Sequence, residues 1–256
     1  MRDYHHILVT GAAGAIGGAL TERLAGHYPD ACFTLVDVNE AALKARCAAL
    51  GQRARHACWD LFQPDALGAR WQELDPEHGP VDLLVNCAGI MDIISFAGTG
   101  WDQGWKLLAV NMVSPLRLAD LALKDMPDGG TIINVASMAG RVPIAGCSYY
   151  GGAKAGMAHA SEIMHNELAS RDINVITVYP GPIYSGLESH ARDQVKAGPV
   201  SKLIPTGQPD AIAARIAEAV TERAPRVIYP PVYNVAHYFN GVARWVTAKA
   251  SPQPLT

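Results

Sequence analysis

The stretch "HILVTGAAGAIGGALTERLAGHY", residues 6–28, changes its period partway along. Residues 6–11 begin with a nearly continuous apolar run, as a strand buried on both faces requires. From Ala15 onward the apolar side chains fall at helical spacing, and glycines at 11, 14, 17 and 18 occupy the junction. A Gly-rich turn between strand and helix lets the backbone come close to a ligand and aims the helix N–H groups at an anion. Taken alone, such glycines also serve ordinary tight turns. Their place at the first strand–helix junction of an alternating chain is what points to a pyrophosphate.

The alternation continues outward from this unit. Further apolar or β-branched runs stand at 32–37, 55–60, 81–86, 130–137, 173–180 and 226–231. Between them lie helical patterns: one opens at Asn39, a good N-cap, and closes at Gly51; longer ones run from about Trp101 to Met126 and from about Ser148 to Arg171. Strand, helix, strand repeated in this way calls for a parallel sheet with helices on both faces. The expected fold is a doubly wound, Rossmann-type α/β domain of about seven strands, a single domain over residues 1–256. No repeat or low-complexity linker divides it.

Composition narrows the function. With 256 residues, 49% of them hydrophobic, the chain can bury one substantial core. A net charge of −3 and the lack of a basic run argue against a nucleic-acid partner. The five scattered cysteines include no C-x-x-C pair, and the nine histidines show no H-x-x-x-H spacing, so reduced thiols and no metal are expected. The apolar run starts almost at the first residue, and no stretch reaches the length of a membrane span. The expected location is the cytoplasm.

Two features carry chemistry. The second run ends in Asp37, 26 positions after Gly11. A carboxylate there would accept both ribose hydroxyls of an adenosine and repel a 2′-phosphate, and no Arg or Lys stands in the turn or at Val38. NAD is therefore expected over NADP. The second feature is "CSYYGGAKAG", residues 147–156. On a helix, Tyr150 lies only about 40° from Lys154, whereas Tyr149 lies about 140° round the axis. Tyr150 is the phenol that can work beside the ammonium. A phenol with a pKa near ~10 needs help to act as a base at neutral pH, and a nearby cation favours the phenolate. Gly151 and Gly152, poor helix formers, make sense if a cofactor or helix comes close.

"TG" at 10–11, "NCAG" at 86–89, Asn111, Ser137, Tyr150, Lys154 and "PGPIYS" at 180–185, in this order and spacing, resemble the short-chain dehydrogenase/reductase family over residues 5 to about 230. The resemblance implies that Ser137 binds the reacting oxygen and that Tyr150 is the acid/base. It implies that Lys154 holds the nicotinamide ribose and lowers the phenol pKa, while Asn111 keeps a water in a proton relay. Asn inside a helix is otherwise mildly unfavourable, which independently suggests a task. On the cofactor side it implies Gly11, Ile16 and Gly17 at the pyrophosphate, Asp60 and Leu61 at adenine, and Asn86, Ala88 and Gly89 near the adenosine ribose. Pro180, Gly181, Ile183 and Ser185 would lie at the carboxamide. Three positions depart from the family's pattern: Ala15 where Gly is usual, Cys87 where Asn is commoner, and Ser185 where Thr is usual. A slightly altered turn is expected at Ala15.

Residues 184–208 are expected to form a flap over the substrate. Ile90, Met91, Ile93, Ile94, Met138 and Val142 would make an apolar pocket wall, with Arg141 the only cation near Ser137. This favours an alcohol or ketone on an apolar skeleton over a small acid. In the C-terminal extension, 232–250, Val235, Phe239, Val242 and Val246 fall at helical spacing. Three roles stay open for it: docking on the core or a second subunit, lidding a lipid-like substrate, or lying on a membrane. The expected activity is NAD(H)-dependent interconversion of a secondary alcohol and a ketone. The alternative is a non-catalytic dinucleotide-binding regulator or scaffold. Homodimers or homotetramers are implied by the resemblance.

Overall fold

A computed structural model describes residues 2–195, 205–250 and 254–255. The seven expected strands are all present: β1 His6–Thr10, β2 Cys32–Asp37, β3 Ala54–Cys58, β4 Leu83–Asn86, β5 Thr131–Val135, β6 Asn174–Pro180 and β7 Arg226–Tyr229. They form one parallel sheet in the order β3-β2-β1-β4-β5-β6-β7. The order reverses between β1 and β4, whose registers pair Ile7 with Leu83 and Thr10 with Asn86. At such a switch point the connections diverge to opposite faces, leaving a crevice beyond the strands' C-terminal ends.

Alternate strand residues feed two apolar layers. Ile7, Phe33, Leu83, Ile133 and Ile176 face helices α1 (Ala15–His27), α2 (Glu40–Leu50) and α8 (Pro209–Glu222). Leu8, Val36, Leu84, Ile132 and Val175 face α3 (Leu67–Gln72), α5 (Ser114–Leu123) and part of α6 (Ser148–Glu167). Both layers are buried, which explains why these strands read as unbroken apolar runs. Asn39 caps α2 as expected, its side chain accepting from the Ala42 N–H at 3.1 Å.

The long helical pattern from Trp101 is interrupted. A first turn from Phe96 precedes a break at Gly100 (φ 69°), and α4 (Phe96–Leu108) then passes through a widened π-helical turn, Ala109–Val113, into α5. Asn111 sits inside that turn, and π turns recur at functional sites because they displace one side chain from helical phase. The segment after β6 contains α7 (Gly186–Asp193), capped by Ser185. Residues 196–204 of the expected flap lie outside the described residues. The C-terminal extension folds into α9 (Tyr233–Tyr238) and α10 (Asn240–Ala250).

Candidate active site

The crevice begins where β1 gives way to α1. Gly11 has φ +68°, and a methyl group there would stand 2.7 Å from Ala88 Cα. A Cβ on Gly17 would collide with the Gly11 carbonyl. Both glycines are fixed by close backbone approach, the first with a left-handed conformation besides. Gly14 caps α1 without any side-chain hydrogen bond, so the first-turn N–H groups remain directed at the cradle. Ala15 is the first residue of α1, where a methyl group costs nothing, and the turn survives this departure. Ile16 lines the cavity beyond. The Thr10 hydroxyl accepts from the Cys87 and Ala88 N–H groups at 3.1 and 3.2 Å, binding the turn to the segment after β4. Its part was not legible beyond its place in "TG".

Asp37 ends β2 beside this turn. Its Oδ2 accepts from the Ala13 N–H at 3.1 Å and its Oδ1 from Val38 and Asn39 at 2.8 and 3.1 Å. The carboxylate thus holds the glycine turn against β2, and of its about four lone-pair sites one, on Oδ2, is left for a ribose hydroxyl. Asp60 lies two residues past β3, exposed, closing a turn onto the Phe62 N–H at 2.9 Å; Leu61 is buried, its carbonyl accepting from Ser114 at 2.5 Å. Asn86 differs from expectation in its side chain. That amide turns into the interior, donating to Asn134 Oδ1 at 2.9 Å and to the Pro115 carbonyl at 3.2 Å. Asn134 then donates to Ser161, so the chain Asn86–Asn134–Ser161 joins β4, β5 and α6. Of residues 86–89, Cys87 and Gly89 line the cavity.

The four candidate catalytic groups converge. Tyr150 and Lys154 are buried on one face of α6, while Tyr149 turns aside to stack on Phe96 with ring centroids 5.4 Å apart. Ser137 lies two residues past β5, its Oγ accepting from the Ala139 N–H at 3.1 Å, and it also hydrogen-bonds the Tyr150 hydroxyl. α6 packs tightly on this loop: a Cβ on Gly151 would stand 2.9 Å from the Ala139 carbonyl. Gly152 has nothing within 4 Å, so no close approach accounts for it.

Burial pushes the Tyr150 phenol up to about 12, against the pull of the Ser137 hydrogen bond. Burial lowers Lys154 to about 8, and its Nζ donates to the Val135 carbonyl at 2.7 Å. The expected acidification of the phenol by Lys154 is therefore not produced by the chain alone, because that ammonium is anchored on β5 and desolvation acts more strongly on the phenol. Asn111 donates through Nδ2 to the Ile90 and Leu107 carbonyls at 2.8 and 2.9 Å. Its buried Oδ1 has no hydrogen-bond partner among the described residues. A methyl on Gly89 would sit 2.9 Å from that Oδ1 and 3.5 Å from Lys154 Nζ, so both atoms face one small space. Cys87 and Cys147 also line the cavity, but burial holds their thiols up at about 12 and about 11, protonated and poorly nucleophilic.

At the far end, Pro180 closes β6 and the Gly181 N–H donates to the Tyr229 carbonyl at 2.7 Å. Ile183 is buried and bridges to Gly207. Ser185 Oγ caps α7 by accepting from Glu188 N–H at 3.1 Å and donates to the Ile183 carbonyl at 3.1 Å, so its hydroxyl is spent on local structure. These residues border a cavity of about 1000 Å³ whose floor holds Ser137, Tyr150 and Lys154. Met91, Ile93, Met138 and Val142 line it as expected, whereas Ile90 packs into the core instead. Arg141 does not reach the substrate space: its guanidinium lies over the Tyr179 ring at 5.3 Å and donates to His237 of α9 at 3.2 Å.

An uncapped helix end over a glycine cradle, and an orphaned amide oxygen beside a buried lysine, together fit a nicotinamide dinucleotide. The sequence matches the short chain dehydrogenase family over residues 5–196. It is 31% identical over 215 residues to the 3-oxoacyl-[acyl-carrier-protein] reductase FabG of Vibrio cholerae, covering 82% of this chain and 87% of that one. It is 32% identical over 216 residues to the D-threitol dehydrogenase of Mycolicibacterium smegmatis, covering 81% and 82%. The fold superposes on a short-chain dehydrogenase from Streptomyces avermitilis with a TM-score of 0.80, at 25% identity over 96% of this chain and 95% of that one. With the glycine cradle, the Ser137–Tyr150 pair and these likenesses all agreeing, the chain belongs to the short-chain dehydrogenase/reductase family of nicotinamide-dependent oxidoreductases.

Proposed function

We propose that this chain interconverts a secondary alcohol and a ketone with NAD(H), using Tyr150 as acid and base. The observation that carries the reading is the hydrogen-bonded Ser137–Tyr150 pair on the floor of an apolar cavity, with Lys154 and the Asn111 Oδ1 beside it. The dinucleotide, when bound, supplies or accepts the hydride. Ser137 holds the reacting oxygen and Tyr150 gives it a proton, or takes one in the reverse direction. Lys154 donates to the nicotinamide ribose, and a water between Lys154 and Asn111 Oδ1 passes the proton outward. Ile183 and its neighbours at 180–185 border the carboxamide, and Asp60, Leu61 and the 86–89 backbone the adenosine. A non-catalytic regulator would have no use for this set of polar groups.

The proposed preference for NAD rests on Asp37, whose carboxylate at the end of β2 beside the glycine turn would oppose a 2′-phosphate bound there. Two like charges at close range oppose each other by several kcal/mol at an effective dielectric near 20. Asp37→Asn removes the charge and keeps one acceptor oxygen, for the Val38 and Asn39 N–H groups, at the loss of the bond from Ala13. The ratio of kcat/KM for NAD over NADP, measured with a panel of secondary alcohols, should then fall at least about tenfold. An unchanged ratio sinks the assignment of Asp37, and no turnover by the wild type across the panel sinks the activity.

Two further proposals concern the surroundings. The α7 segment acts as a flap, tethered by Gln194, which accepts from the Ile93 N–H at 2.8 Å, and by His190 and Gln194 on Asp92, each at 3.2 Å. The protein works as a homodimer or homotetramer through α4 and α6, where Trp101 (68% exposed) and Ile163 (42%) leave apolar surface facing water. Sedimentation should give an assembly of two or four chains, shifted toward monomer by Trp101→Glu; a monomeric wild type overturns this. No helix among the described residues is long and apolar enough to cross a membrane, and the free cysteines support a reducing, cytoplasmic setting.

A further inference from the structure

The polar groups of the cavity are mainly the catalytic cluster and the Ser185, Glu188 and Arg192 side of α7. Ser137, Tyr150 and Lys154 cluster on its floor, while the wall opposite is built by α9 and α10. Val232, Val235, Ala236, Phe239, Ala243 and Thr247 line it, at intervals of three, one, three, four and four residues. Phe239 is non-helical (φ −103°, ψ 47°) and joins the two helices, so Val232, Val235 and Ala236 before it and Ala243 and Thr247 after it form one apolar stripe by each facing the cavity. The stripe differs from the one expected from sequence: Val242 and Val246 have side chains outside the described residues, and two alanines take part. Five of its six residues are apolar. The charges nearby, Arg192 and Glu188 of α7, pair with each other and leave no lone charge to demand an ionic ligand.

The wall is a built part of the fold. His237, on α9, is buried edge-on against Tyr179 with ring centroids 4.8 Å apart, and accepts from Arg141. Tyr233 and Ala236 pack on Met138 and Tyr179, next to the Ser137 loop. Yet Val235 and Phe239, on the cavity side, are 65% and 66% exposed. An anchored helix that keeps apolar side chains facing water, continuous with the catalytic floor, matches an occupant that is itself apolar. Ala236 and Ala243, the small side chains of the lining, leave room between Val235, Phe239 and Thr247 for an apolar occupant laid along α9 and α10.

We propose that the substrate carries an unbranched aliphatic chain, which runs from the reacting carbon at Tyr150 along the α9–α10 stripe, with Phe239 at the helix junction setting the favoured chain length. The proposal rests on the alcohol–ketone reading above and adds the substrate class.

The test uses straight-chain 2-ketones of about four to about twelve carbons with NADH, and a cyclic ketone of matched carbon number. Each buried methylene should lower KM about fourfold until the stripe is filled. Phe239→Ala should flatten that dependence, cutting the long-over-short preference at least about tenfold, and Phe239→Trp should move the optimum to shorter chains. Thermal stabilisation of the same proteins by straight-chain alcohols gives a readout independent of turnover. Turnover with a KM indifferent to length, or a preference for the cyclic ketone, overturns the chain proposal and spares the activity. No turnover with any ketone, but stabilisation that climbs with length and is lost in Phe239→Ala, overturns the activity and supports the stripe. A Phe239→Ala protein altered in sedimentation but not in length dependence assigns the stripe to a subunit contact, against the proposal.

Discussion

Tyr150→Phe is expected to lower kcat by about 10³-fold while NADH still binds, because the variant loses one hydroxyl and keeps the buried ring. The ring packs on α6 against the Ser137 loop, so the fold is retained. Ser137 and the hydride site remain, which is why residual activity above the uncatalysed rate is expected. The wild-type pH profile should reveal the same group. Burial pushes the phenol up to about 12, so at neutral pH it holds its proton. Ketone reduction, which uses that proton, should be flat through neutrality and decline only in alkali. Alcohol oxidation, which needs the phenolate, should rise steadily with pH. Near-wild-type kcat in Tyr150→Phe, or an oxidation rate independent of pH, removes Tyr150 from the chemistry.

Lys154→Met should cost about 10²-fold or more in kcat/KM and, unlike Tyr150→Phe, raise the KM for the dinucleotide. A charge-assisted hydrogen bond to a ribose contributes roughly 1.5–3 kcal/mol, and the proton relay loses its cation as well. Stability provides a second readout. Burial lowers the Lys154 pKa from 10.5 to about 8. Below pH 8 both the folded and the unfolded chain hold the proton, and the cost of the buried ammonium is fully present. Between about 8 and about 10.5 the unfolded chain holds a proton that the folded chain has released, so this group makes stability rise with pH. Met has no such dependence. Wild type should therefore gain on Lys154→Met by roughly 1.4 kcal/mol per pH unit across that window in denaturant unfolding. A constant difference from pH 7 to 10 shows that Lys154 is not a desolvated ammonium.

Each of the seven runs became a strand, with ends moved by two residues or fewer; burial on two faces wrote that signature in the five inner strands, whereas the edge strands β3 and β7 are partly exposed. Helical phase alone told Tyr150 from Tyr149, since a face of a helix is set by residues three and four apart. Glycines 11 and 17 were legible for a similar reason, as their neighbours in space are also near in sequence or fixed by the strand order. Tertiary structure decided the rest. The direction of the Asn86 amide depends on Asn134, 48 residues away, and the hold of Lys154 on Val135 depends on β5 passing beneath α6. The seating of α9, which puts Val235 and Ala236 at the cavity, involves His237 and Arg141, a contact between residues 96 apart. The Tyr150 pKa likewise followed from desolvation, which sums over every element packed round the ring and has no trace in a local pattern. Periodicity in a chain records which faces are dry; which groups meet there, and how strongly they are stripped of water, is fixed only when distant segments close on one another.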